Sequence, residues 1–286
     1  MSDAEPGGSD GRDGAGGTGD AIRWVYAFID RPFARFEQAC EFWLTATGTR
    51  LSARRGERGE FATLLPGGPG DADGADGDDR AADACVKIQG VGDGGGAHLD
   101  LAVEDVAGHA RRAVGLGATT DFEEPGLSVL RSPAGKPFCI CEWEGEARRP
   151  APVDGPGPDG LGGRSRLDQV CTDVAPRHFA AEVEFWGALT GWDRHPGRHG
   201  LVLFKPPVGI PIRILVQRLD GPDEPTGAHL DIACSDIEAV RAWHERSLGA
   251  ATVRALPWRT IMRDSVGGIY CLTNRDPETG VMRGWA

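Results

Sequence analysis

Positive charge is scarce in this chain. Only 31 Lys and Arg stand against 43 Asp and Glu in 286 residues, a formal net charge of −12. Phosphate backbones and anionic lipid repel such a surface, so no nucleic-acid or membrane partner is expected. No apolar run approaches the ~20 residues of a membrane span. The first twenty residues are acidic and glycine-rich, the opposite of a signal peptide, and the expected location is cytoplasmic. Seven cysteines (Cys40, Cys85, Cys139, Cys141, Cys171, Cys234 and Cys271) are scattered without a CxxC spacing. That pattern fits a reducing compartment better than a disulfide framework. GxSxG, P-loop and HExxH motifs are absent, which leaves serine-hydrolase, nucleotide-phosphate and zincin chemistry without an anchor.

Glycine, by contrast, is abundant, at 43 residues, roughly double the average usage of ~7%. Much of the excess lies in three segments. Residues 1–20 read as a disordered tail, 67–83 as an acidic low-complexity insert and 144–165 as a Pro/Gly linker. They leave two ordered blocks, 21–143 and 166–278, followed by a tail at 279–286.

The blocks repeat each other. Glu41-Phe42-Trp43 matches Glu184-Phe185-Trp186, and Gly96-Ala97-His98-Leu99-Asp100 matches Gly227-Ala228-His229-Leu230-Asp231. Phe138-Cys139-Ile140 matches Tyr270-Cys271-Leu272. The acidic insert accounts for the change of offset between the first two anchors, so two copies of one fold are expected. In each copy, strands near 22–29 and 167–174 lead into helices near 33–46 and 178–190. Further strands, a second helix capped by Asp105 or Asp236, and a closing pair of strands follow. The pattern is α+β: each block is a pair of βαβββ modules forming a curved, incompletely closed sheet with helices outside.

Strand alternation assigns the faces. Leu99, Leu101 and Val103 share the helix-facing side, which leaves His98 and Asp100 in the concavity. The concave cup of the first block is expected to hold Trp24, Tyr26, Phe28, Gln89, His98, Asp100 and Cys139. The second is expected to hold Gln169, Gln217, His229, Asp231 and Cys271. Trp24, Tyr26 and Phe28 read either as plain core or as an aromatic wall for a flat ligand. Cys139 and Cys271 read either as site thiols or as small buried residues.

The stretches AHLDLAVEDVAGHARRAVGLGA with SPAGKPFCI, and AHLDIACSDIEAVRAWHERSLGA with DSVGGIYCL, resemble the vicinal-oxygen-chelate superfamily, in its glyoxalase-like and bleomycin-resistance-type branch. The resemblance implies two tandem glyoxalase-like domains. In enzymes of that superfamily a divalent metal sits in the cup on four strand positions. Carried over by position, the second block offers Gln169, Gln217, His229 and Cys271. The first offers Trp24, Gln89, His98 and Cys139. Both last-strand positions hold Cys where metal-dependent members hold Glu, and an indole cannot ligate. No metal is therefore expected in the first block, and a single divalent ion stays open in the second.

Two functions follow. One is a binder or cryptic enzyme taking a small apolar or aromatic molecule in the cup, with Trp24, Tyr26, Phe28, Gln89, His98 and Cys139 as its contacts. The other is a metal-dependent lyase, isomerase or dioxygenase working from the second block; a metal-free route there would use His229 or Asp231 as a general base. Since a tandem repeat replaces a dimer within one chain, a monomer or weak homodimer is expected.

Overall fold

Eleven residues of alternating character open the first block as strand β1 (Ile22–Pro32), three residues longer than expected. A single 3-10 turn leads into helix α1 (Phe36–Thr47), and β2 (Thr49–Leu51), β3 (Phe61–Pro66) and β4 (Val86–Val91) complete the first module. The second module runs β5 (Gly96–Val103), α2 (Val106–Gly115), β6 (Thr119–Glu124), β7 (Leu127–Arg131) and β8 (Pro137–Glu142). The strands form one eight-stranded sheet in the order β2-β3-β4-β1-β5-β8-β7-β6. The modules meet where β1 and β5 pair antiparallel, while β1–β4 and β5–β8 are parallel. This computed structural model describes residues 21–67, 81–92, 94–156, 162–221 and 225–283. The expected tail at 1–20, most of the acidic insert and the last three residues lie outside the described residues.

The second block repeats the topology. Its elements are β10 (Arg164–Val174), α3 (Pro176–Thr190), β11 (Asp193–Pro196), β12 (Leu201–Lys205), β13 (Arg213–Arg218) and β14 (Gly227–Cys234), then α4 (Ile237–Leu248), β15 (Ala251–Leu256), β16 (Arg259–Arg263) and β17 (Ile269–Thr273). The sheet order is β11-β12-β13-β10-β14-β17-β16-β15. The second-module helices begin at Asp105 and Asp236, whose carboxylates accept from the backbone N–H of Gly108 and Ala239. Helices α3 and α4 end in left-handed glycines, Gly191 and Gly249, a conformation that costs a side-chain-bearing residue more.

Between the blocks, the described part of the 144–165 stretch is bound rather than loose. Strand β9 (Val153–Asp154) adds to β10, and the Asp83 carboxylate accepts from the backbone N–H of Ala147 and Arg148. No described helix is long and apolar enough to cross a membrane.

The two Phe-Trp pairs set the domain interface. Phe42 and Trp43 on α1 pack edge-on against Tyr270 of β17, and Phe185 and Trp186 on α3 pack edge-on against Phe138 of β8. Each domain's first helix thus covers the other domain's last strand, and a single apolar core spans both. Buried carboxylates anchor the crossing. Asp264 accepts from Arg31 Nε at 2.6 Å, from the Trp43 indole at 3.2 Å, and from the backbone N–H of Val266 and Gly268. On the other side Glu182 accepts from the Trp186 indole and from the backbone N–H of Ala134.

The Arg31 and Asp264 side chains are 1% and 0% exposed, so removing one partner strands the other in the core. Asp264→Ala is expected to lower unfolding free energy by about 3–5 kcal/mol. Chemical denaturation checks this, and a loss under ~1 kcal/mol would show that the pair contributes no more than an exposed one.

Candidate functional site

Register brings the concave residues of the first domain into rows. Phe28 lies between Lys87 on β4 and His98 on β5, while Tyr26 lies beside Asp100, which lies beside Cys139 on β8. Two residues further along β1, Asp30 lies between Gln89 and Gly96. These side chains border an open cavity of about 510 Å³, walled by Phe61, Leu127 and Val129. The cavity continues into a wider cleft of about 880 Å³, which Tyr26 lines. Of the expected contacts, Phe28, Gln89, His98 and Cys139 surround the cavity. Trp24 is the exception. It is 1% exposed, its indole N–H donates to the Ala84 carbonyl, and it lines neither space. The 81–85 stretch closes over that end of the sheet.

Charge in this cup is arranged around His98. Its Nδ1 lies 2.8 Å from Asp30 Oδ2, and its Nε2 lies 3.7 Å from Asp100 Oδ1. Phe28 stacks on the imidazole at 4.4 Å. Burial disfavours the imidazolium, but the charge and hydrogen bond of Asp30 and the charge of Asp100 outweigh it and raise the His98 pKa. Lys87 Nζ donates to Asp100 Oδ2 at 3.2 Å and sits 3.7 Å from the Tyr26 ring centroid. Burial, followed by the Asp100 charge, pushes the Cys139 thiol far up, and Cys141 rises to about 12. Both cysteines are therefore protonated, weakly nucleophilic lining groups at neutral pH. Asp30 and Lys87, absent from the expected set, also line the cavity.

The same constellation recurs in the second domain. His229 Nδ1 lies 2.8 Å from Asp173 Oδ2, and its Nε2 lies 3.4 Å from Asp231 Oδ1. In both domains the short contact goes to the first-strand Asp rather than to the Asp two residues after the His. Register also corrects one correspondence. Tyr26 pairs with Asp100 as Gln169 pairs with Asp231, so the first-domain counterpart of Gln169 is Tyr26, not Trp24.

In the second cup the inner side chains are tied to one another. Gln169, Cys171, His229, Asp231 and Cys271 are all buried. The Gln169 amide donates to Asp231, Arg275 donates to Asp168, and Arg259 donates to Gln217 at 2.7 Å. Arg213 donates to the carbonyls of Thr279 and Gly280, which ties down the stretch expected as a C-terminal tail. His229 and Asp173 instead border a separate hollow of about 440 Å³ at the domain junction, framed largely by glycines.

The expected metal ligands do not converge as a set of four. Gln169 shares a row with Asp231 and Cys271, whereas Gln217 pairs with Asp173, four residues along β10. That separation is about 13 Å at ~3.3 Å per residue. Three-donor groups do form. The ligand atoms of His98, Asp100 and Cys139, of Cys171, Asp173 and His229, and of His229, Asp231 and Cys271 each lie within 4.8 Å of one another.

Their protonation is wrong for a divalent ion, which needs deprotonated donors. Burial opposes the imidazolium of His229, but neighbouring Cys171, Asp173 and Cys271 and the hydrogen bond to Asp173 raise its pKa well above the ordinary value. Burial lifts the Cys171 thiol to about 12. Asp231 has the Arg275 guanidinium 3.7 Å away, and Asp100 has Lys87. Each group offers only one imidazole, one thiol and one carboxylate, and Asp100 and Asp231 already sit beside a Lys or Arg, a donor set that fits a divalent metal poorly. Protein purified without a metal column, then exposed to Mn²⁺, Fe²⁺ or Zn²⁺ and desalted, is expected to retain far less than one equivalent. Elemental analysis showing one equivalent, lost in His229→Ala, would contradict the charge argument.

The comparisons agree with this architecture. The family model for the glyoxalase-like domain matches twice, at residues 27–141 and 169–273. No curated protein sequence matches. Among solved structures, the Mn(II)-bound glyoxalase from Novosphingobium aromaticivorans superimposes with a TM-score of 0.53 at 14% identity, covering 89% of this chain and 81% of that one. An extradiol ring-cleaving dioxygenase from B. fuscum gives 0.54 at 12% identity, covering 91% and 74%. A xylose isomerase-like TIM barrel/4-hydroxyphenylpyruvate dioxygenase fusion protein gives 0.51 at 11% identity. This chain spans 48% of the fusion protein's length and 88% of its own. At these identities the likeness is one of fold. With both repeats matched by the family model, the chain belongs to the glyoxalase-like domain family, as a tandem pair of vicinal-oxygen-chelate folds.

Proposed function

We propose that the protein binds a small planar organic molecule in the cup of its first domain, and that the second domain serves as the scaffold that holds this cup in shape. One observation carries the reading. The first cup is an open cavity of about 510 Å³ with an aromatic and aliphatic lining, whereas arginines and a buried amide are hydrogen-bonded across the equivalent rows of the second. Such a concave, mostly apolar space with a few convergent polar groups is the usual form of a small-molecule site. Phe28, held by its stack on His98, gives the cavity an aromatic wall, and Val129 and Leu127 close the opposite side. Gln89 and Asp100 supply the polar contacts that orient the ligand.

The alternative, a metal-dependent lyase, isomerase or dioxygenase working from the second domain, draws on the grouping of His229, Asp231 and Cys271 and on the Mn(II)-bound relative. The charge balance described above weighs against it. Without a metal, His98 flanked by Asp30 and Asp100 is the group best placed to move a proton on a bound molecule, with Asp30 fixing its tautomer.

Val129 and Ile261 occupy equivalent positions, each paired with the last-strand Cys of its own sheet. Titration with the neutral planar dye N-phenylnaphthylamine is expected to show saturable fluorescence enhancement at one site per chain. Val129→Trp is expected to weaken it at least ~10-fold, about 1.4 kcal/mol, while Ile261→Trp leaves it unchanged. The reverse pattern would move the site to the second domain.

A further inference from the structure

Within the first-domain cup, the charge pattern goes further than shape. We propose that its ligand is an organic cation, a planar molecule bearing a protonated or quaternary amine; this rests on the cup being the binding site. The cup already holds one ammonium in the required way. Lys87 Nζ sits 3.7 Å from the Tyr26 ring centroid, 5.4 Å from that of Phe28 and 3.2 Å from Asp100 Oδ2. Two aromatic faces and a carboxylate around one nitrogen make a cage selective for cations.

Lys87 uses only half of Asp100. The other oxygen, Oδ1, is buried without a hydrogen-bond partner on a residue that is 4% exposed and lines the cavity. His98 Nε2 lies 3.7 Å from this oxygen, beyond hydrogen-bond reach, so the carboxylate keeps capacity for one further donor. Oδ1 of Asp30 is likewise unpartnered on the same cavity.

The approach to the cup has the matching sign. The outer cleft carries Asp83, Glu124, Glu142, Glu144 and Glu146 against Arg55 and Lys87. A concave, low-dielectric funnel of one sign concentrates oppositely charged ligands and speeds their entry. Glu146 also accepts from the Tyr26 hydroxyl, which ties the rim to the aromatic cage. The second domain has lost this device: Leu215 stands where Lys87 does, Gln169 where Tyr26 does, and Cys171 where Phe28 does.

Three tricyclic probes of one shape test the idea on the full chain: 9-aminoacridine as the cation, acridone as the neutral form and acridine-9-carboxylate as the anion. Equilibrium dialysis is expected to give an affinity for the cation at least ~10-fold above that for acridone, the scale of a desolvated cation–π contact. The preference is expected to shrink with added salt. Lys87→Met frees Asp100 and is expected to tighten the cation alone, while Asp100→Asn abolishes the preference. Val129→Trp is expected to block all three probes. Cation binding that survives Val129→Trp would be ion pairing on the acidic exterior and would overturn the inference. Equal affinity for the cation and acridone, both blocked by Val129→Trp, would overturn the cation preference and leave the cup as the binding site. Failure of every probe to bind would remove both.

Discussion

The buried Arg31–Asp264 pair at the domain crossing is the constraint on which the rest hangs. Arg31 sits at the end of β1, and its guanidinium reaches into the opposite domain. Its Nη1 donates to the carbonyls of Asp30 and Gly96, so the arginine also fixes the ends of β1 and β5. Those strand ends carry the Asp30 carboxylate and lead into His98 two residues later. The contact that joins the domains therefore positions the Asp30–His98 pair of the first cup. The loop at Gly268 presses against the same guanidinium, which leaves no room for a Cβ there.

Duplication followed by divergence explains why two equal scaffolds hold unequal spaces. Both domains keep the Asp–His–Asp arrangement and a last-strand cysteine, and the His–Asp distance is the same. What differs is the material around it. The first cup is lined by Phe28, Leu127 and Val129 and left open. The second replaces Phe28 with Cys171 and Leu127 with Arg259, adds Arg275, and is crossed by the stretch that holds Thr279 and Gly280. Arginine contacts across the second cup tie its strands together, and a well-tied partner suits a neighbouring site that is preformed.

Much of this was legible in the sequence, because alternation and repetition are local signals. The faces of β5, β8, β14 and β17 follow from residue spacing alone, and so does the matching of His98 with His229. The misses share a cause, since each depends on a partner distant in the chain. Residues 30–32 lie beyond the expected strand, yet β1 runs on through them by pairing with β4, and Arg31 meets Asp264, 233 residues away. Trp24 has the cup's parity but lies under the 81–85 stretch, whose path no periodicity encodes. Lys87 has the parity of Gln89 on β4, but its contacts with Tyr26 and Asp100 depend on strands distant in the chain. The tying of the second cup by Arg275 and Arg213 is long-range in the same sense.

The central claim is that the first cup is the working site and the second is structural. Soaking crystals with a library of small planar fragments tests it most directly, because the method reports position without assuming chemistry. The account predicts density clustered between Phe28, His98 and Val129, with the second cup still tied by Gln169 and Arg275. Fragments displacing Arg275 to reach Asp231 and Cys271, with the first cup empty, would contradict it.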